Sequence, residues 1–123
     1  MPSLGERAAS ELSAFPASKF CGELLAAGRH FLAEVPFSHP RSADEWIEGV
    51  IDLVVVTRTG ELWIVDWKTD RRRVDESESS FSNRLATLYL PQLQAYAEVL
   101  RSGMSRRPKR LALYSTELGC AIE

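Results

Sequence analysis

The sequence predicts an α/β domain, a mixed β-sheet with flanking helices in the order α-β-β-β-α-β. Three observations carry that prediction. Two β-branched and apolar runs, Gly49–Thr57 and Glu61–Thr69, are separated only by Arg58-Thr59-Gly60. A single apolar stripe at helical spacing runs through Arg84–Ser102. Before both of these, a helical period changes to an extended one at His30.

In chain order, Leu4, Ala8, Leu12 and Phe15 repeat at helical spacing, so Leu4 to Gly28 reads as helical. Pro16 interrupts it, Ser18 is placed to cap a second helix over Lys19–Ala27, and Gly28 ends that helix. His30–Phe37 reads as the first strand, and Ser38–Asp44 as a loop carrying Pro40 and Ser42. The two central runs form a hairpin whose three-residue connection ends in a glycine suited to the left-handed conformation. Leu53 and Val55 on one face and Val54 and Val56 on the other are all apolar, which predicts strands covered on both faces. Asp70 to Asn83 is polar and reads as a mobile loop, with Arg71, Arg72 and Arg73 ahead of Asp75, Glu76 and Glu78. In the following helix Leu85, Leu88, Tyr89, Gln92, Tyr96 and Val99 or Leu100 form the stripe. Pro91 implies either a kink or a helix beginning near Leu90. Gly103 closes the helix and Lys109–Ser115 is the last strand.

At 123 residues the chain is expected to be one domain, residues 1–29 forming a helical lead-in and 30–116 the core. The net charge of −2 excludes a global basic field. No apolar run approaches the roughly 20 residues of a membrane span, and no charged-then-apolar leader opens the chain. Cys21 and Cys120 form neither a disulfide framework nor a metal-ligand spacing. These features point to a cytoplasmic domain with no membrane partner.

The chemistry concentrates in the hairpin. With a register symmetric about Thr59, Thr57 faces Glu61, Val54 faces Ile64, and Asp52 faces Asp66. Two aspartates opposed within apolar strands repel each other and are costly to desolvate. Lys68, two residues beyond Asp66, shares its face of the strand. Three readings remain open at this point: a structural Asp–Lys ion pair, two carboxylates sharing a proton, or a hard divalent cation held by Asp52, Asp66 and a backbone carbonyl. Carboxylate and carbonyl oxygens suit Mg²⁺ or Mn²⁺ and not Zn²⁺.

Gly49-Val50-Ile51-Asp52, then thirteen residues, then Asp66-Trp67-Lys68, then Gln92-Leu93-Gln94-Ala95-Tyr96, resembles the RecB-like branch of the PD-(D/E)XK nucleases. Asp66-Trp67-Lys68-Thr69-Asp70 followed by Tyr89, Gln92 and Tyr96 is similar to the nuclease domain at the C-terminus of UvrD-like helicases of the AddA and RecB type. Glu34-Val35-Pro36-Phe37 resembles the strand that precedes the Asp strand there. The resemblance covers Glu34 to Ser115 and implies a restriction-endonuclease-like core. It implies that Asp52 and Asp66 ligate Mg²⁺ or Mn²⁺ with the carbonyl of Trp67, and that Lys68 orients or activates the attacking water. Gln92 and Tyr96, one helical turn apart, would line the groove, and Glu34 would be an outer ligand or a brace. The histidine that this branch carries on an upstream helix is not matched by His30 or His39, so a fragment of a larger helicase–nuclease is expected.

Two arginine-rich segments could meet phosphate, Arg71–Arg73 next to the carboxylates and Arg101, Arg106, Arg107, Lys109 and Arg110 around the last turn. The function implied is a Mg²⁺-dependent DNA nuclease domain of a repair and recombination machine. DNA, the helicase domain of the same polypeptide and a second helicase–nuclease subunit would be its partners. The alternative is a catalytically incomplete nuclease-fold module that binds DNA or braces a helicase. Endo- or exonuclease action stays open.

Overall fold

A computed structural model describes residues 15–40, 42–104 and 106–123. Most of the helix expected from Leu4 therefore lies outside the described residues, and Phe15–Ala17 is a single 3-10 turn around Pro16. Helix α1 (Lys19–Ala27) begins where Ser18 predicts, its hydroxyl accepting the Cys21 amide at 3.1 Å. Gly28 ends it with an extended backbone, φ −79°, and not with a left-handed cap. The chain thus passes from helix straight into strand. Glycine is required there because a Cβ would come within 2.9 Å of the Leu24 carbonyl.

Five strands follow: β1 (Gly28–Pro40), β2 (Trp46–Thr57), β3 (Leu62–Lys68), β4 (Arg110–Ser115) and β5 (Cys120–Ile122), with helix α2 (Glu78–Met104) between β3 and β4. They form one sheet in the order β1-β2-β3-β4-β5. All neighbours are antiparallel except β3 and β4, which are parallel. A parallel pair needs a long crossover, and α2 supplies it. The mixed sheet with helices on its faces is the fold class expected. β1 and β2 extend further toward their shared turn than the sequence predicts, and β5 is a short addition.

The two faces carry separate cores. Ile64, Leu62, Val54 and Ile51 pack against Phe81, Leu85, Leu93, Tyr96 and Leu100 of α2. Val55, Val65, Ala112 and Tyr114 pack against Phe20 and Leu24 of α1. The β2–β3 hairpin is buried on both sides, and its register pairs Val54 with Ile64 and Val55 with Trp63, symmetric about Thr59. Gly60 takes φ +86° in the turn, where the Thr57 amide donates to the Glu61 carbonyl at 2.8 Å.

Beyond a register shift between Gly28 and His30, the alternation of β1 and β2 is interrupted at one rung. On β2, Leu53 and Val55 belong to the α1 face, yet Ile51 belongs to the α2 face with Val54. On β1, Phe31 and Ala33 stand opposite Val55 and Leu53, whereas Val35 and Phe37 pack on the α2 face. Both switches fall at the position where Glu34 lies opposite Asp52, between the pairs Ala33–Leu53 and Val35–Ile51. Glu34 has φ 52°, the one positive φ at a non-glycine among the described residues. For an L-residue that conformation costs about 1–2 kcal/mol.

Helix α2 starts six residues earlier than the stripe predicts. Ser77 caps it by accepting the Ser80 amide at 3.1 Å, and Phe81 is fully buried under its first turns. The helix continues through Pro91. Pro91 and Thr87, whose carbonyl loses its amide partner, are both exposed, so water can satisfy that carbonyl. Leu88, expected on the stripe, is 56% exposed, and Leu93 takes the buried position. The segment that reads as a mobile loop is fastened instead. Arg84 pairs with both oxygens of Glu76 at 2.8 and 2.9 Å and donates to the Arg71 carbonyl, while the Arg73 amide donates to Glu76.

These bonds hold the Glu76 carboxyl well below its ordinary 4.5, at about 2. A depressed carboxylate stabilises the fold above its unfolded pKa and loses that contribution as pH falls through the folded value. Glu76→Gln should therefore lower Tm at neutral pH, and its deficit against wild type should shrink as pH falls from 4.5 toward 2. Thermal unfolding of both proteins across that range checks this.

Candidate active site

The β2–β3 ladder stops at Leu53–Val65, one rung before the two aspartates. The expected regular pairing of Asp52 with Asp66 is thus corrected: beyond this point β3 continues against β4, while β2 continues against β1 alone. Asp52 sits at the fork, and its Oδ2 accepts the Trp67 amide at 2.8 Å. A side chain thereby takes the place of the missing strand partner. A residue in a strand turns its N–H and C=O toward the same neighbour. Trp67 accordingly directs its carbonyl to the β2 side as well, while the Lys68 carbonyl faces β4, where it accepts the Thr116 amide at 3.1 Å.

Asp66 stands on the α2 face and is 4% exposed. Its buried Oδ2 is 2.8 Å from Lys68 Nζ and has that ion pair as its charge partner. Burial is the main cause that raises its carboxyl from 3.8 to about 6; contact with the Asp52 carboxyl raises it further, and Lys68 opposes both. Lys68 is held on three sides. Besides Asp66, its ammonium donates to Gln92 Oε1 at 3.4 Å and lies 4.1 Å above the Tyr89 ring. The Tyr89 hydroxyl in turn donates to Asp70 Oδ2 at 2.8 Å. Tyr96 is buried with its ring edge-on to Phe37, and its hydroxyl pKa is raised by burial and by the fields of Asp66 and Asp52.

The structure therefore brings together Asp52, Asp66, Lys68, Gln92, Tyr96 and the Trp67 backbone. Glu34 is exposed on the neighbouring strand. Arg71, Arg72 and Arg73 follow the C-terminal end of β3, the end that carries Lys68. The second basic segment lies at the other end of the sheet: the Lys109 amide donates to the Leu62 carbonyl and Arg106 to the Gly60 carbonyl. Arg110 is engaged with Glu23 and Glu123. His30 is exposed beside Val56, well along the sheet from the aspartates. The sequence places Tyr89 on the helical stripe, and its contact with Lys68 goes unseen. Its place three residues before Gln92, on the same helical face, is the available signal.

Next to this cluster a cleft of about 470 Å³ runs between α2 and the β1–β2 ribbon, lined by Gln92, Tyr96, Phe37 and His39 among others. A more open hollow of about 610 Å³ lies over Phe37 and Gly49 and includes neither aspartate nor Lys68. The donor set fits a hard divalent cation. It offers two adjacent carboxylates, one of them buried, and a main-chain carbonyl at a strand fork. Among the described residues no group of three or more His, Cys, Asp and Glu side chains converges.

Because the Asp66 pKa is raised, its ionisation costs the metal-free protein stability as pH climbs from 3.8 to about 6. Carboxyl-carbon NMR of the metal-free protein should find the Asp66 midpoint near the upper value, moved down in Asp52→Asn and up in Lys68→Met. Asp66→Asn should flatten the fall in stability across that range.

A family model described as the PD-(D/E)XK nuclease superfamily matches residues 6–120. An ATP-dependent helicase/nuclease subunit from Pelotomaculum thermopropionicum is 32% identical over 127 aligned positions covering 93% of this chain. The chain spans only 10% of that relative's length. With the Asp strand, the Asp-x-Lys strand and the Gln-x-x-x-Tyr helix meeting at one fork of a mixed sheet, the chain belongs to the PD-(D/E)XK nuclease superfamily.

Proposed function

We infer that this chain hydrolyses DNA phosphodiester bonds with Mg²⁺ or Mn²⁺, as the nuclease part of a helicase–nuclease polypeptide in cytoplasmic DNA repair and recombination. The observation that carries the reading is the Asp66 carboxylate. It is buried beside a second carboxylate, with one restrained ammonium as the only cation paired with it among the described residues. An arrangement so costly to desolvate is explained by a cation that binds there.

Asp52, Asp66 and the Trp67 carbonyl would hold that cation. Bound there, it would make water acidic enough to attack at neutral pH and offset charge on the phosphoryl oxygens. The residues of the chain do the rest. Lys68, held by Asp66, Gln92 and the Tyr89 ring, presents its ammonium where attacking water and phosphoryl oxygen meet. Asp70 keeps the Tyr89 ring in place under that ammonium. Gln92 and Tyr96 line the cleft that receives the strand, and Arg71, Arg72 and Arg73 steer its phosphates toward the site. No helix among the described residues is long and apolar enough to cross a membrane. The name of the relative supports two partners, a helicase region of the same polypeptide and, beyond it, a second helicase–nuclease subunit.

The test is cleavage of a labelled single-stranded oligonucleotide with Mn²⁺ or Mg²⁺. Wild type should cut, Asp66→Ala should not, and Lys68→Met should be slower by a factor on the order of 10²–10⁴. If wild type and Asp66→Ala bind the strand equally and neither cuts, the chain is a DNA-binding module and the catalytic reading fails.

A further inference from the structure

Glu34 departs from every expectation of an edge-strand residue. Its φ of 52° lies in the left-handed region, although glutamate has a Cβ and no side-chain amide to favour it. It occupies the one rung of the β1–β2 ribbon where both strands exchange their inward and outward faces. The residue across that rung is Asp52, whose carboxylate lies toward β3 and accepts the Trp67 amide.

These facts have a single geometric origin. In an unbroken ribbon Asp52 would follow the alternation of Val54 and Val56 and stand on the α2 face. Its carboxylate would then lie above the sheet and not in the fork beside the Trp67 amide. On β1 the reversal falls at Glu34, the residue that leaves the extended region, and on β2 it falls across the ribbon at Asp52. Strained backbone of this kind persists where surrounding structure holds it, here the pairs Ala33–Leu53 and Val35–Ile51 on either side.

We propose that Glu34 is a positioning residue that acts through its left-handed backbone: it switches the faces of the ribbon and so aims the Asp52 carboxylate into the fork. The proposal rests on Asp52 being a cation ligand only for its catalytic consequence. The placement itself is a property of the metal-free chain.

The experiment compares substitutions by their tolerance of positive φ. Glu34→Gly and Glu34→Asn accept that conformation, Glu34→Ala accepts it poorly, and Glu34→Val resists it most. Hydrogen exchange of the Trp67 amide in the metal-free protein reports the Asp52 bond directly. Protection should match wild type in the Gly and Asn variants and fall about ten- to a hundredfold in Val, the measure of one hydrogen bond to a charged acceptor. Mn²⁺ affinity should follow the same order, with Ala between. Should the Val variant not fold, Asn against Ala decides by the same criterion. Equal protection in all variants, or loss in Gly and Asn as large as in Val or Ala, overturns the proposal, the second result assigning the effect to the carboxylate. If wild type binds no Mn²⁺, the cation reading fails, and the exchange data still judge the placement.

Discussion

A carboxylate taken out of water beside another carboxylate must be compensated, and most of the features around the β2–β3 fork follow from how Asp66 meets that demand. It has the Lys68 ammonium on one side and Asp52 on another, and its pKa stands near 6 because burial and the second carboxylate outweigh the lysine. The lysine alone does not balance the pair. What remains is a local excess of negative charge at the fork, the electrostatic setting that attracts a hard cation. Asp66 thus sets the position of Lys68, and through Lys68 the roles of Gln92 and Tyr89.

The sheet makes this charge arrangement possible by ending one ladder early. While β2 and β3 are paired, every backbone polar group between them is satisfied and no ligand can enter. Past Leu53–Val65 the strands separate, and Asp52 replaces the lost acceptor for the Trp67 amide. Rigid strands carry both aspartates and the lysine, so their geometry is set by the core on each face and not by a loop. The loop that does follow, with its three arginines, is tied to α2 through Glu76 and Arg84. A segment suited to meeting phosphate therefore has a defined path away from the site.

Much of this is legible in the residues. The hairpin register follows from two apolar runs and a glycine-ended turn, because only one symmetric pairing fits a three-residue connection. The cluster of Asp52, Asp66 and Lys68 follows from that register and the period of a strand. The start of α2 is hidden because Ser77, Ser79, Ser80 and Ser82 carry no apolar period and suit caps as well as loops. The switch at Glu34 and Asp52 is hidden for a different reason. Val50-Ile51 and Leu53-Val54-Val55-Val56 are apolar at every position, so an alternation that reverses leaves no trace in them. A backbone angle at a glutamate has no sequence signature at all. The burial of Leu93 in place of Leu88 is a rotation of the stripe by the small amount that helical periodicity leaves undetermined.

Asp52, Asp66 and the Trp67 carbonyl are proposed to form one cation site at the fork. Paramagnetic broadening by substoichiometric Mn²⁺ tests it most directly, since the ion acts only on nuclei close to it. Selective loss of the backbone signals of Asp52, Asp66, Trp67 and Lys68 is expected, abolished in Asp66→Asn and retained in Lys68→Met. Broadening centred on exposed acidic residues away from the fork, such as Asp75 of the loop and Glu78 at the start of α2, and unchanged in Asp66→Asn would contradict it.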